Sequence, residues 1–502
     1  MATPIPHDGP DLDRERCYAA LRSRDARFDG RFFVAVRTTG IFCRPVCPAR
    51  TPKLANVRFF ACAAAAQAEG FRPCKRCRPE TSPGTPAWLG SSAIVSRALR
   101  LIADGGLDED PVDAFAERLG IGDRQLRRLF ARHLGASPGS IARARRVHFA
   151  RRLIDETTLP MTEVAFSAGF KSIRDFNFAV RATFGRSPRE LRRGRAPRSG
   201  TREGEGDGEL VVKLPFRPPL DFAGVLGFLR LRAIPGVEWV GDGRYRRTIE
   251  QDGAVGSIEL RAVACEDQLE MRVSLPAYGG LIRIVERARR IFDLGADPLQ
   301  ITNALRRSPL LAARLRRAPG LRVPGAWNGF ELAVRTVLGQ QVSVKGATTL
   351  AGRLAQSFGK PVEGLGEGLT HAFPPPETLA EADLARIGLP AARAETLRAL
   401  ARAVASEGLQ LHATQGLDDA VARLVAIPGI GAWTAHYIAM RALGEPDAFP
   451  ASDLGLRRAL ASRGVAPSAR ELERIAEAWR PWRAYAAIAL WTTPARPMKE
   501  RT

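Results

Sequence analysis

At 502 residues the chain is too long for one hydrophobic core and predicts about three or four domains. Its 76 basic and 53 acidic residues leave a net charge of +23, and residues 1–200 alone hold 36 Lys/Arg against 20 Asp/Glu, a net +16. A basic surplus gathered in one part of a chain points to a polyanion, of which nucleic acid is the commonest.

No run of about 18 apolar residues is present, so no membrane partner is expected. The opening "MATPIPHDGPDLDRER" lacks the basic start and apolar stretch of a secretory signal. The expected location is the cytoplasm, where thiols stay reduced and a cysteine cluster holds metal more often than it forms disulfides.

Residues 1–85 combine short apolar runs, many turn residues and two close cysteine pairs. Cys43 and Cys47 are spaced C-x3-C; after 26 residues Cys74 and Cys77 follow as C-x2-C. Such pairs supply the tetrahedral thiolate geometry that zinc prefers. A closed structural zinc knuckle is the plain reading. Against it stand the basic flanks Arg37, Arg44, Arg50, Lys53, Arg72, Lys75, Arg76 and Arg78, since positive charge favours the nucleophilic thiolate. Cys17, Cys62 and Cys265 lack partners at metal spacing and are expected as buried thiols. "TSPGTP" (81–86) reads as a linker.

Residues 90–193 carry helical periodicity throughout. "VDAFAERLGIGDRQLRRLFARHLGASP" (112–138) predicts a helix, a Gly-containing turn and a second helix from Asp123; the pattern recurs in "MTEVAFSAGFKSIRDFNFAVRATFGRSP" (161–188). Two helix-turn-helix units can read adjacent major grooves. Arg124 and Gln125 in the first, and Arg174 and Asn177 in the second, lie near recognition-helix starts, where they reach base edges or else phosphate and solvent. Phe170, Phe176 and Phe184 are expected in the core.

"GRAPRSGTREGEGDGE" (194–209) reads as a flexible linker. Residues 210–322 mix strands such as "RYRRTIEQ", "SIELRAV" and "LEMRVSL" with a helix or two, and the chain from Pro324 onward reads as entirely helical. Within it, "LVAIPGIGAWTAHYIAMRALGEPDAFPASD" (424–453) places Gly429 and Gly431 in a hairpin between two helices. Amides at the following helix start can there meet a DNA phosphate.

These segments resemble known families. "VRTTGIFCRP", "CPAR" and "GFRPCKRCRP" are similar to the zinc domain of Ada, the alkylation-response regulator; the second helix-turn-helix resembles the AraC signature. The resemblance to Ada implies zinc held by Cys43, Cys47, Cys74 and Cys77, with Cys43 also accepting a methyl group from a DNA methylphosphotriester. It further implies backbone contacts from Thr39, Arg50 and Arg72, and a transcription activator whose further partner is RNA polymerase. Ada's Pro-Cys-His-Arg site has no counterpart in this sequence, so O6-alkylguanine repair is not expected.

"RPPLDFAGVLGFLRLRAI", "RTVLGQQVSV", the hairpin with Trp433-Thr434-Ala435, and "WRPWRAYAAIALW" resemble AlkA, the 3-methyladenine glycosylase. That resemblance implies a catalytic Asp453, an aromatic pocket of Phe228, Trp433, Tyr437 and Trp491, and Gln341 as the wedge into the base stack, where AlkA has leucine. One carboxylate can stabilise an oxocarbenium-like transition state; as a bland alternative, Asp453 is only an N-cap. Strand-cutting relatives place a lysine where this chain has Trp433, so a monofunctional enzyme is expected; without C-terminal cysteines no iron–sulfur cluster is expected. Leu454-Gly455 replace bulkier pocket residues.

The expected fold class is multidomain α+β. It comprises a small zinc domain (1–85), an all-α double helix-turn-helix (90–193), a linker (194–209), an α+β domain like the N-terminal domain of AlkA (210–322), and an all-α helix-hairpin-helix glycosylase domain (323–502). The expected partner is double-stranded DNA, alkylated or promoter, with one Zn2+ as cofactor. Two alternatives stand beside this reading: a regulator whose C-terminal half only binds DNA, and an enzyme whose zinc is merely structural.

Overall fold

A computed structural model of the chain describes residues 12–83, 93–108, 110–193, 209–366, 368–406, 408–411, 416–461 and 465–492. Residues 194–208 of the expected linker, and 84–86 of "TSPGTP", lie outside them. The chain forms two compact units: Met1–Pro218 with Val263–Glu286 and Leu294–Ala296, and Pro219–Ala262 with Arg287–Asp293 and Asp297–Thr502. The segment 210–322 is thus shared between them. No helix among the described residues is long and apolar enough to cross a membrane.

In the first unit a four-stranded sheet runs in the order Val57–Phe60, Phe33–Val36, Ile41–Cys43, Arg72–Pro73. Its last pairing is parallel and the others antiparallel. The helix Arg14–Ser23, capped by Asp13, covers it by packing Cys17, Ala20 and Leu21 against Phe32, Val34, Val57 and Phe59. Such a core is small, which is where a metal centre adds most to stability.

Six helices follow from Val112 to Arg193. Val112–Glu117 and Asp123–Leu134 form the first helix-turn-helix, Met161–Ser167 and Ile173–Phe184 the second, with the 19-residue helix Pro138–Glu156 between them. Gly135 and Gly185 end the two second helices at φ +66° and +68°, the left-handed conformation that lets a helix stop in one residue. The long helix also meets the zinc fold, with Arg78 paired to Asp155 at 2.6 Å and Arg151 to Glu80 at 3.9 Å, and the Cys62 thiol donates to Leu134 O at the end of Asp123–Leu134. Strands Glu209–Pro215 and Gln268–Ser274 pair antiparallel in the same unit.

The second unit has an antiparallel meander, Glu238–Gly241, Arg244–Gln251 and Ala254–Ala262, followed by helices. A large hydrophobic core lies among Gly329–Leu338, Val344–Phe358, Ala391–Ala405, Leu417–Val425 and Ala432–Arg441. This half is not entirely helical: between Phe358 and Pro376 the chain runs in extended turns, with bridges Pro361↔His371 and Gly236↔Leu369. "FPPP" and four glycines in that stretch cannot sustain a helix.

One buried ion pair ties the meander to the helices. Arg247 donates to both carboxylate oxygens of Glu331, at 3.1 and 2.7 Å, and stacks on Trp327 at 5.1 Å. Burial pushes the Glu331 carboxyl up, against the pull of Arg247. Removing one partner of such a pair strands the other charge. Glu331→Leu should therefore destabilise the second unit by about 3–5 kcal/mol, and Arg247→Met added to it should recover much of the loss. Urea unfolding followed by tryptophan fluorescence reads both; an unchanged midpoint in Glu331→Leu would refute the assignment.

Candidate functional site

The first site is built by two adjacent strands. Cys43 closes Ile41–Cys43, paired to Val34, and Cys47 follows a turn in which its amide donates to Arg44 O at 3.2 Å. Cys74 follows Arg72–Pro73, and its amide donates to Phe42 O at 2.9 Å. All four sulfurs lie within 4.8 Å of one another. A tetrahedral ion at a metal–sulfur distance of about 2.3 Å needs sulfurs about 3.8 Å apart, so the cluster fits zinc.

The sulfurs also need a cation. The Cys47 thiol is held down, chiefly by a hydrogen bond from Cys43, and that same bond pushes Cys43 up. Crowded thiols therefore cannot all ionise unless a divalent ion compensates them. Backbone amides of Arg44 and Arg76 donate to Cys77 Sγ and Cys74 Sγ, each at 3.4 Å. Cys47 and Cys77 are 6% and 7% exposed, whereas Cys43 and Cys74 are half-buried, so an electrophile can reach the latter two.

Thr39, Arg50 and Arg72 are all exposed. Not every flanking cation serves the cluster. Arg44 turns away to Asp29 and to Thr81 Oγ1 (2.6 Å), and Arg78 pairs with Glu80 and Asp155, because buried carboxylates capture both. Thr81 is thereby part of the fold rather than the start of a linker. Cys17 and Cys62 are buried as expected, but Cys265 is exposed: it sits in a turn at φ +60°, beyond the reach of any core.

The recognition helices present what their apolar faces leave over. Asp123–Leu134 buries Leu126, Phe130 and Leu134 and exposes Arg124, Gln125, Arg127 and Arg128. Ile173–Phe184 buries Phe176, Ala179 and Val180 and exposes Arg174, Asn177, Phe178 and Arg181. Phe170 is buried too, and Phe184 half-buried.

The second site lies in the other unit. The Pro-Gly-Ile-Gly hairpin joins Leu417–Val425 to Ala432–Arg441. Gly429 has φ +86°, and a Cβ there would lie 2.0 Å from Thr396 Oγ1; Gly431, at φ −88°, faces open space. Gln340 Nε2 donates to Gly429 O and Thr434 Oγ1, both at 3.0 Å, and so braces the hairpin. Its neighbour Gln341 is exposed at the tip of the preceding loop with φ +56°, flanked by the exposed Val342 and Val344. Of the two glutamines in "LGQQVSV", sequence reasoning singled out only Gln341.

Asp453 is both an N-cap and a hub. Its Oδ1 accepts from Leu456 N at 2.9 Å and from the Trp491 indole at 2.8 Å, and its Oδ2 accepts from the Trp433 indole at 3.0 Å. The carboxylate is half-buried. Gly455 leaves it room: a Cβ there would lie 3.0 Å from Oδ1 and 3.4 Å from the Trp491 ring. Trp433 stacks on Tyr437 at 5.5 Å and 19°, and Trp491 lies 6.0 Å from Tyr437. The structure thus gathers three of the four expected pocket aromatics around the carboxylate.

Phe228 differs from expectation. It is 7% exposed, and guanidiniums already cover it, Arg232 at 3.8 Å and Arg441 at 4.9 Å. Buried arginines seek aromatic faces where water is excluded, so this ring does not offer an open face. Arg441 also donates to Tyr437 Oη at 3.1 Å. Burial alone would push the Tyr437 phenol up, but Arg441, Arg232 and Arg335 together bring it down to about 8. Behind lies a cavity of about 40 Å3 lined by Arg232, Glu238, Glu331, Arg335 and Arg441 among others. Arg232, Arg335 and Arg441 lie inside the quoted AlkA-like stretches, but nothing local in the sequence marks their convergence.

Comparison with known proteins gives the same organisation. In chain order the sequence matches the metal binding domain of Ada (residues 16–80), a helix-turn-helix domain (115–194), the AlkA N-terminal domain (211–328) and the HhH-GPD superfamily base excision DNA repair proteins (334–483). A Mycobacterium tuberculosis protein described as a "probable bifunctional transcriptional activator/DNA repair enzyme AlkA" is 48% identical over 488 residues, 97% of this chain and 98% of its own. DNA-3-methyladenine glycosylase 2 of Escherichia coli is 36% identical over 56% of this chain and 97% of its own, and the bifunctional transcriptional activator/DNA repair enzyme Ada of the same organism is 34% identical over 36% and 50%. Among solved structures, the 3-methyladenine DNA-glycosylase from Archaeoglobus fulgidus shares the fold at a TM-score of 0.50 and 24% identity, over 56% of this chain and 97% of that one. The chain belongs to the family of bifunctional transcriptional activator/DNA repair enzymes in which an Ada-type metal-binding domain and helix-turn-helix pair are joined to an AlkA-type glycosylase.

Proposed function

We propose that the C-terminal half removes bases alkylated in the manner of 3-methyladenine, with Asp453 as the catalytic carboxylate. The observation that carries this reading is the half-buried Asp453 carboxylate, fixed by two indole donors beside the Trp433–Tyr437 stack. A base alkylated at N3 or N7 is cationic and departs neutral, so no general acid has to protonate it. As the C1′–N bond breaks, positive charge grows on the sugar, and a fixed anion stabilises it. Water then adds to C1′ and gives up a proton, leaving an abasic site. Trp433 has no amine to form a Schiff base, so the strand remains intact. The hairpin amides at Gly429 and Gly431 grip a phosphate, and Gln341 fills the gap left by the flipped base.

In the N-terminal half, Cys43 is the acceptor for the methyl group of a DNA methylphosphotriester. Its thiolate attacks the methyl carbon, a C–S bond forms, the C–O bond breaks, and a phosphodiester anion leaves. Cys43, Cys47, Cys74 and Cys77 would hold one zinc ion, which would keep these sulfurs as thiolates. Methylation of Cys43 removes one negative charge from this set, so repulsion from DNA falls. Thr39, Arg50 and Arg72, exposed beside the cluster, then meet the backbone, and the helix-turn-helix pair binds its promoter for RNA polymerase in the cytoplasm.

Three outcomes check this reading. Incubation with methylated duplex should add one methyl group, mapped by mass spectrometry to Cys43 and absent in Cys43→Ala; a methyl on Cys47, Cys74 or Cys77 would overturn the assignment. Asp453→Asn should slow single-turnover excision of 3-methyladenine by about 100-fold to 1000-fold while binding to an abasic-site mimic changes little. Near-normal excision would remove Asp453 from the mechanism, and strand cleavage without alkali would remove the monofunctional reading. Gly429→Ala should weaken binding to the abasic mimic and lower stability, whereas Gly431→Ala should leave stability intact, since only the first meets Thr396 and a left-handed φ. Equal stability of the two variants would contradict this account of the hairpin.

A further inference from the structure

The second recognition helix exposes a group that its fold does not use. Phe178 is 68% exposed, while the apolar side of Ile173–Phe184 is filled by Phe176, Ala179 and Val180. It stands four residues after Arg174 and three before Arg181, so all three share one face of the helix, with Asn177 beside them; each is exposed. The first helix-turn-helix offers an internal comparison. Phe178 lies six residues after its helix's N-cap Ser172, and the residue six after the N-cap Gly122 of the first recognition helix is the exposed Arg128. Where one unit presents a cation, the other presents a ring.

The surroundings say what the ring can meet. Lys171, Arg174, Arg181, Arg186 and Arg189 are exposed on or near this helix. That field suits a polyanion, and although Ile173 on the same helix is also exposed, the apolar surface is too small to hold a protein partner. On the base edges of the major groove, the apolar group on offer is the C5-methyl of thymine. Asn177, one position back, has the amide that pairs with the N6 and N7 of adenine. We propose that Phe178 is a specificity-determining residue that packs on a thymine methyl in the major groove, so that the second helix-turn-helix selects an A·T-containing step while the first, with Arg124, Gln125 and Arg128, does not use an apolar contact. This rests on the activator reading above.

The test removes one methyl group at a time. The zinc-loaded full chain, methylated at Cys43, selects duplexes from a random-sequence library, and each thymine of the enriched site is then replaced by deoxyuridine, which lacks the methyl. At one or two positions the wild type should lose about 3-fold to 5-fold in affinity, as expected for one buried methyl. Phe178→Ala should bind more weakly and be indifferent to the same replacements, and Arg128→Ala should keep the wild-type sensitivity. Thermal unfolding of Phe178→Ala should match the wild type, because the side chain lies outside the core. An enriched site at which no deoxyuridine matters, or at which Phe178→Ala remains as sensitive as the wild type, overturns this assignment alone. Unchanged DNA binding with lost stimulation of RNA polymerase would overturn it in favour of a protein contact. A library that yields no enriched sequence would overturn the activator reading and this proposal with it.

Discussion

The second unit turns on one carboxylate. Asp453 caps Leu454–Ala459, accepts the indole of Trp433 from the start of Ala432–Arg441, and accepts the indole of Trp491 from the end of Arg483–Thr492. Three helices are therefore registered by hydrogen bonds to two oxygen atoms. Charge-assisted bonds of this kind are worth about 1.5–3 kcal/mol each, and they are directional. A surface N-cap would need only the amide of Leu456. The two indoles hold the carboxylate in one orientation and bring aromatic rings to its side, so the structural and catalytic readings of Asp453 describe the same contacts.

The first unit depends on a different balance. Four sulfurs crowd within 4.8 Å, and the half-buried cations Arg44 and Arg78 beside them are already committed to Asp29, Glu80 and Asp155. Charge at the cluster is thus set chiefly by the sulfurs themselves, while Arg50 and Arg72 stay exposed beyond it. Arg78 directly follows Cys77 and reaches the long helix Pro138–Glu156 through Asp155, so the metal centre is fastened to the helix that joins the two DNA-reading units.

What the sequence made legible follows the range of the interaction. Cysteine spacing, the Pro-Gly-Ile-Gly hairpin and the two helix-turn-helix patterns are local, and each appears where its residues foretell it; the second helix of the first pair begins at Asp123. Long-range partners were silent. Gln340 bracing Gly429 across 89 positions, and Arg441 with Arg232 covering Phe228, need the folded chain to be seen. Cys265 was misjudged because nothing local separates a thiol in a turn from one in a core. Nothing local marks Phe178, because a phenylalanine in a helix is ordinarily core, and only the burial of Phe176 and Val180 shows that the core is already full.

The unforeseen arginines bear on the chemistry. Trp433, Tyr437 and Trp491 form an aromatic layer with Asp453 bonded at the two indoles and Arg441 bonded at the Tyr437 hydroxyl, with Arg232 and Arg335 close enough to draw the phenol down as well. A base stacked on this layer, as proposed, meets an anion bonded at the indoles and a guanidinium bonded at the Tyr437 hydroxyl. In the proposed reaction positive charge leaves the alkylated base and appears on the sugar. Guanidiniums around Tyr437 make a cationic ground state on the layer less comfortable, and the Asp453 carboxylate makes an oxocarbenium-like state more so. Both act in the direction that breaks the bond, and because the groups are held by packing rather than by solvent, little reorganisation is needed as the charge moves.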